Sequence, residues 1–237
     1  SIPASLIGHQ ANLAQTAEDG TMEWYPISML FFNLCLILSI GFCVALVYFG
    51  YQEAKAATLP VLSEILEQVI TQNQLLSDLD ETEIERLKTS TFDFMPFWIS
   101  GIWLMIHAIN IYLAGFVSRA SNLMPRPRDD IPASLALPVA AVGVLAIAIV
   151  VGWATSSELQ YYTGPFLGIF LTGFSLVGLA MLHERARSSG THLILLLLSY
   201  ALIFLVYLPL FVFAGAGILR SFKRSKNTPA SPGSSNT

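Results

Sequence analysis

His107 and Asn110 stand three residues apart in an apolar stretch, so on a helix they share a face with Trp103 and nearly with Tyr112. With Asn33 in an earlier apolar block, they are the candidate solute-binding residues. A stripe of this kind lines a small-solute cavity with few convergent polar groups; equally, it supplies interhelical hydrogen bonds of about 0.6 kcal/mol each. Thr172, Ser175, Tyr200 and Tyr207 are further polar groups in apolar surroundings. No phosphate-binding G-x-x-x-x-G-K-[ST], no H-E-x-x-H, no C-x-x-C and no G-x-G-x-x-G occurs, so the chain reads as non-enzymatic, with no cofactor. Gly173-Phe-Ser-Leu-Val-Gly178 is not G-x-S-x-G and lacks the strand-to-helix turn of a nucleophile elbow, which makes Ser175 a packing residue. No Asp, Glu, Lys or Arg lies clearly within an apolar block, which weighs against an ion-driven transporter. Cys35 and Cys43, eight residues apart in one block, lie too far apart along a helix for a disulfide, and they supply no metal framework.

These side chains need elements to position them, and composition names the kind. The 237 residues are 54% hydrophobic and 12% charged, with a net charge of −4. The apolar residues fall in long charge-free blocks, which excludes a soluble globular domain, a disordered chain and a basic nucleic-acid binder. Helices of roughly 20 apolar residues cross about 30 Å of hydrocarbon, and five such blocks occur, about 27–49, 97–118, 133–154, 161–182 and 193–219. Barrel strands alternate polar and apolar residues, whereas Leu193 to Leu198 is unbroken. The expected fold is therefore an all-α polytopic membrane bundle. Pro26, Pro96 and Pro132 precede the first three spans, where a missing N–H costs little. Trp24, Tyr25, Trp98, Trp153, Tyr161 and Tyr162 mark span ends.

Residues 1–25 form a pre-membrane segment, and the loop from Glu53 to Met95 holds nine acidic residues against three basic ones, a local charge of −6. Leu62, Ile65, Leu66, Val69 and Ile70 within it repeat on one face of an amphipathic helix that starts near Thr58-Leu59-Pro60. A second short helix comes after Ser77-Asp78, with Ile84 and Leu87 on one side. The first helix packs on the bundle or the interface, or docks a partner. Residues 220–237 read as a basic patch, Arg220, Lys223, Arg224 and Lys226, leading into a disordered Ser/Pro/Asn/Thr tail.

The positive-inside rule conflicts with five simple spans. The loops carrying Arg119, Arg126, Arg128, Arg185 and Arg187 then oppose the side that holds Lys55, Arg86, Lys88 and the four basic tail residues. If the last block, with Pro209 near its middle, does not cross simply, the Arg-bearing loops and the tail share the cytoplasmic side; otherwise it is one kinked span. Gly164, Gly168 and Thr172 form a small-residue seam for close helix packing. His183, Arg185 and Arg187 stand at a span end, as a positive-inside anchor or an anion contact.

Glu23-Trp24-Tyr25-Pro26, Asn110-Ile-Tyr112-Leu113-Ala114, Arg126-Pro127 with Leu137-Pro138 after it, and Gly178-Leu179-Ala180-Met-Leu182-His183 occur in this order. The pattern resembles the YybS-like family of uncharacterised bacterial, alphaproteobacterial-type inner-membrane proteins, over most of the chain up to about residue 220. Members are longer at the N-terminus, so the resemblance implies that spans before Ser1 are missing, in keeping with the lack of Met and of a signal peptide. The family is similar to the substrate-binding membrane subunits of energy-coupling-factor transporters. That implies a multi-pass inner-membrane component of small-solute uptake, which leaves ATP hydrolysis to an energising partner module. The alternative is a membrane scaffold or assembly factor acting through its acidic loop or basic tail. The lipid bilayer and other membrane proteins are the expected partners, and nucleic acid is not.

Overall fold

Pro26, extended at ψ 134, caps the first long helix, α2, Ile27–Phe49, and Gly50 ends it at φ +75, a conformation open to glycine but costly for other residues. The computed structural model describes residues 2–17, 19–72, 80–154, 157–187, 194, 196–201 and 209–227. Before α2 come α1, Ile2–Ala11, and a short antiparallel hairpin of β1, Ala14–Thr16, and β2, Met22–Trp24, with Ala14 opposite Trp24. After it come α3, Tyr51–Gln72, α4, Glu81–Ala120, α5, Ile131–Ser134, α6, Val139–Ala154, α7, Ser157–Arg187, and α8, Pro209–Asn227. The hairpin apart, the described elements are helical, and α2, α4 and α7 are long and apolar enough to cross a membrane. The chain is an α-helical membrane protein.

Several expected boundaries move, each for a local reason. The second span and the short helix before it are one 40-residue helix, α4, started by an Asp80–Glu83 capping box. Pro96 lies inside α4 rather than ahead of it. The amphipathic helix α3 begins at Tyr51, directly after Gly50, and carries Pro60 inside. The third block breaks in two, because Pro138 lacks an N–H and pushes Leu137 out of the helical region. Beyond the break, α6 has 16 residues, about 24 Å of helix against about 30 Å of hydrocarbon. In the last block the described helix α8 is Pro209–Asn227, so residues 220–227, expected to begin a disordered tail, continue a helix. Ser77, Asp78, residues 155 and 156, Tyr207 with the rest of 202–208, and the tail beyond 227 lie outside the described residues.

Small residues set the helix directions. Gly164 and Gly168 of α7 lie against the Phe97 backbone, Gly101 of α4 lies under Thr172, and Ser100 Oγ reaches the Pro165 carbonyl at 3.5 Å. Residue numbers rise together along this seam, so α4 and α7 run the same way. The helix α2 runs opposite: Phe32 meets Phe170 edge-on at 6.2 Å, and Cys43 Sγ donates to the Tyr162 carbonyl at 3.1 Å. Cys35, Leu104, Ile169, Phe170, Phe174 and Val177 are fully buried between these helices. Lipid tails are as apolar as leucine, so close packing rather than exclusion from water drives this association.

One end of the bundle therefore gathers the start of α2, the ends of α4 and α7, the 121–130 connection and α5. The end of α8 joins it: Arg224 donates to the Ser134 and Ala133 carbonyls at 2.7 Å each, and Arg220 pairs with Glu184 at 3.1 Å and also donates to Ala133. Burial pulls the Arg220 guanidinium below its ordinary range, with Glu184 opposing the shift. The other end gathers Tyr51, Phe92, Asp93 and Tyr161.

Candidate functional site

At the arginine-rich end a cleft of about 770 Å³ opens between α1, α2, α4, α5 and α7. Its walls are apolar, with Leu30, Phe31 and Leu34 on α2, Ala108 and Ile111 on α4, and Leu176 and Ala180 on α7. Its mouth is charged, with Arg119, Arg126, Arg128, Arg187, Asp129, Asp130 and His183.

The local sequence explains the mouth. Arg119 stands in the last turn of α4, where a cation meets the negative end of the helix dipole. Asn122 then takes φ 54 and turns the chain, a conformation asparagine tolerates better than most residues. Beyond it, Arg126 is 4% exposed yet fully engaged. Its Nε and one terminal nitrogen grip Asp129 at 2.8 and 3.0 Å, and the other donates to the Tyr25 and Ala11 carbonyls at 2.9 and 3.2 Å. A two-pronged guanidinium–carboxylate pair is both strong and directional, so Arg126 ties α1 and the strand before α2 to the mouth. Asp130 in turn takes Arg187 at 2.8 and 2.9 Å.

Charge accounting leaves an excess. Both aspartates are committed, to Arg126 and Arg187. Among the described residues Arg119 and Arg128 have no carboxylate partner, and Arg119 donates to Met124 Sδ at 3.7 Å. His183 sets Nδ1 2.9 Å from the Leu179 carbonyl and Nε2 3.4 Å from the Tyr200 hydroxyl.

Of the residues picked out from the sequence, Tyr112 lines this cleft. Trp103 is half-exposed and meets Phe42 edge-on at 6.4 Å. His107 is buried, with Nδ1 3.0 Å from the Trp103 carbonyl one turn earlier. Asn110 is exposed on another face of α4. Asn33 donates to Gln10 Oε1 at 3.1 Å and to the Tyr25 hydroxyl at 3.3 Å, which fastens α1 to α2. Asn33, Trp103, His107 and Asn110 are not among the residues lining this cleft, and the arginine pair at its mouth was not among the five. The spacing Arg126-Pro-Arg128-Asp129-Asp130 after a span carried the signal, since an i, i+3 pair consumes one arginine and leaves the next free.

Asp93, at the opposite end, was also missed. It is 5% exposed and accepts the Tyr51 hydroxyl at 2.9 Å. Tyr51 itself packs edge-on against Phe92 and Tyr161 at 5.6 and 5.4 Å. Burial, reinforced by the Asp93 carboxylate, pushes the Tyr51 phenol up to about 12. Asp93 faces a polar groove of about 560 Å³ with Glu85, Thr89 and Gln160, but its bond to Tyr51 makes it a joint between α3 and α4.

No family model matches the chain, and no curated protein or solved structure is significantly similar to it.

Proposed function

We propose that this chain is a non-catalytic integral membrane protein that binds a small amphipathic molecule in the cleft between α2, α4 and α7. One observation carries the reading: an apolar cleft of about 770 Å³ with a charged mouth. Ligand sites are mostly apolar hollows of about 300–1,000 Å³ with a few polar groups that fix orientation. Nine of the twelve Lys and Arg residues fall in the segments at this end, namely Arg119, Arg126, Arg128, Arg185, Arg187 and the four of α8. By the positive-inside rule this end is cytoplasmic, and the cleft opens toward the inner leaflet. An uptake component that holds its solute for an energising partner is the wider role this supports, in a bacterial inner membrane of the kind the YybS-like resemblance implies. Native mass spectrometry of the full chain, purified gently from its own membrane, tests the reading. A reproducible bound amphiphile is expected, and a chain that carries none refutes it.

One observation favours the scaffold reading: Val61, Ile65 and Val69 stand exposed along α3 among Glu64 and Glu67. Replacing all three with serine then removes a co-purifying chain, and an unchanged partner list dismisses it.

A further inference from the structure

The mouth's uncompensated charge and the length of its apolar wall define the occupant more narrowly. We propose that the cleft takes an anionic membrane lipid of the inner leaflet, with its phosphate between Arg119 and Arg128 and a hydrocarbon chain along α4 toward Ala108. This rests on the cleft being the binding site.

Among the described residues two guanidiniums lack a carboxylate, while their neighbours Arg126 and Arg187 each pair with one, Asp129 and Asp130. Arginine forks match phosphate geometry and release water more readily than lysine does. A neutral solute would leave both charges without a partner, and a soluble anion would leave the apolar walls unused. The distances agree with a lipid. From Arg119 back to Ala108 the cleft follows 11 residues of α4, about 16 Å at 1.5 Å per residue. One leaflet contributes half of about 30 Å of hydrocarbon, so a headgroup at the mouth puts an acyl chain along the wall at its ordinary depth. Tyr112 stands about two turns, or about 10 Å, from Arg119 on the same wall, beside the course of the acyl chain.

The test delipidates the purified full chain and incubates it with phosphatidylglycerol, phosphatidylcholine or inorganic phosphate, with retained mass read by native mass spectrometry. Phosphatidylglycerol is expected to be retained at least tenfold better than phosphatidylcholine, and millimolar inorganic phosphate is expected not to displace it. The double variant Arg119→Gln/Arg128→Gln falls to the phosphatidylcholine level, whereas Arg119→Lys/Arg128→Lys keeps at least half of the wild-type retention and Lys223→Gln keeps all of it. Equal retention of the two lipids, full retention by the glutamine pair, or displacement by inorganic phosphate overturns the proposal. Ala108→Phe, which fills the wall far from the arginines, separates the two levels. If it expels lipid while the glutamine pair does not, the cleft reading stands and the headgroup assignment falls; if lipid stays in both, both fall. Unchanged melting and elution of each variant show that folding is intact.

Discussion

A methyl group added at Gly168 tests the helix arrangement that positions the cleft. A Cβ there would overlap the Phe97 carbonyl and crowd Ser100 Oγ, and a carbonyl held within α4 cannot swing aside as a side chain can. Relief requires α4 and α7 to separate along the seam. Overpacking a close contact costs about 1–3 kcal/mol, while Gly→Ala in a helix gains about 1 kcal/mol from propensity. Gly143→Ala isolates the steric part, because a Cβ at Gly143 in α6 meets nothing within 4 Å and the propensity gain is the same. Gly168→Ala should therefore lie about 1–3 kcal/mol below Gly143→Ala, or about 2–12 °C at about 2–4 °C per kcal/mol. Thermal unfolding of both in one detergent, monitored by helical circular dichroism, measures the gap. Variants that melt together would refute the α4–α7 crossing.

Tyr51→Phe leaves the buried Asp93 carboxylate without its donor, at a cost of about 1–3 kcal/mol, and Asp93→Asn in the same background recovers part of the loss. The phenol is raised from 10.0 to about 12, so its neutral form is favoured in the folded state. Its stabilisation is fully present below pH 10 and is lost as the pH rises toward 12. Melting scans should show wild type and Tyr51→Phe converging across that window, and a constant gap would contradict the assignment. Glu64→Cys in α3 and Lys223→Cys in α8, each made with Cys43→Ser, should react oppositely with an impermeant maleimide on intact cells. Glu64→Cys labels and Lys223→Cys does not; labelling of both would place the two ends on one side.

The apolar blocks made α2 and α7 legible, because a charge-free run of that length has few folds open to it. Block length did not reveal that α6 is short, since Leu137-Pro138 breaks the helix without breaking the hydropathy. Lateral orientation was harder to read. In a soluble helix the polar face marks the outside, but around α4 the exposed residues Ile102, Ile106, Ile109 and Leu113 are as apolar as its buried ones. His107, Ser100 and Gly101 face the bundle while Asn110 points away, so helical spacing grouped residues that packing separates. The buried side of α4 is better marked by its small residues, Ser100, Gly101, Ala108 and Gly115, than by its polar ones. The mouth was illegible for another reason. Arg126 and Arg187 look like ordinary positive-inside residues until Asp129 and Asp130 are seen to pair with them, and only that pairing singles out Arg119 and Arg128.

The cleft itself is tested most directly by photo-crosslinking in native membranes from a benzoyl-phenylalanine placed at Tyr112, inside the cleft, and separately at the exposed Asn110. A binding cleft predicts one dominant amphiphile adduct from position 112, enriched over its abundance in the membrane, while position 110 returns the bulk lipid mixture. The same mixture from both positions would mean that the cleft holds nothing of its own.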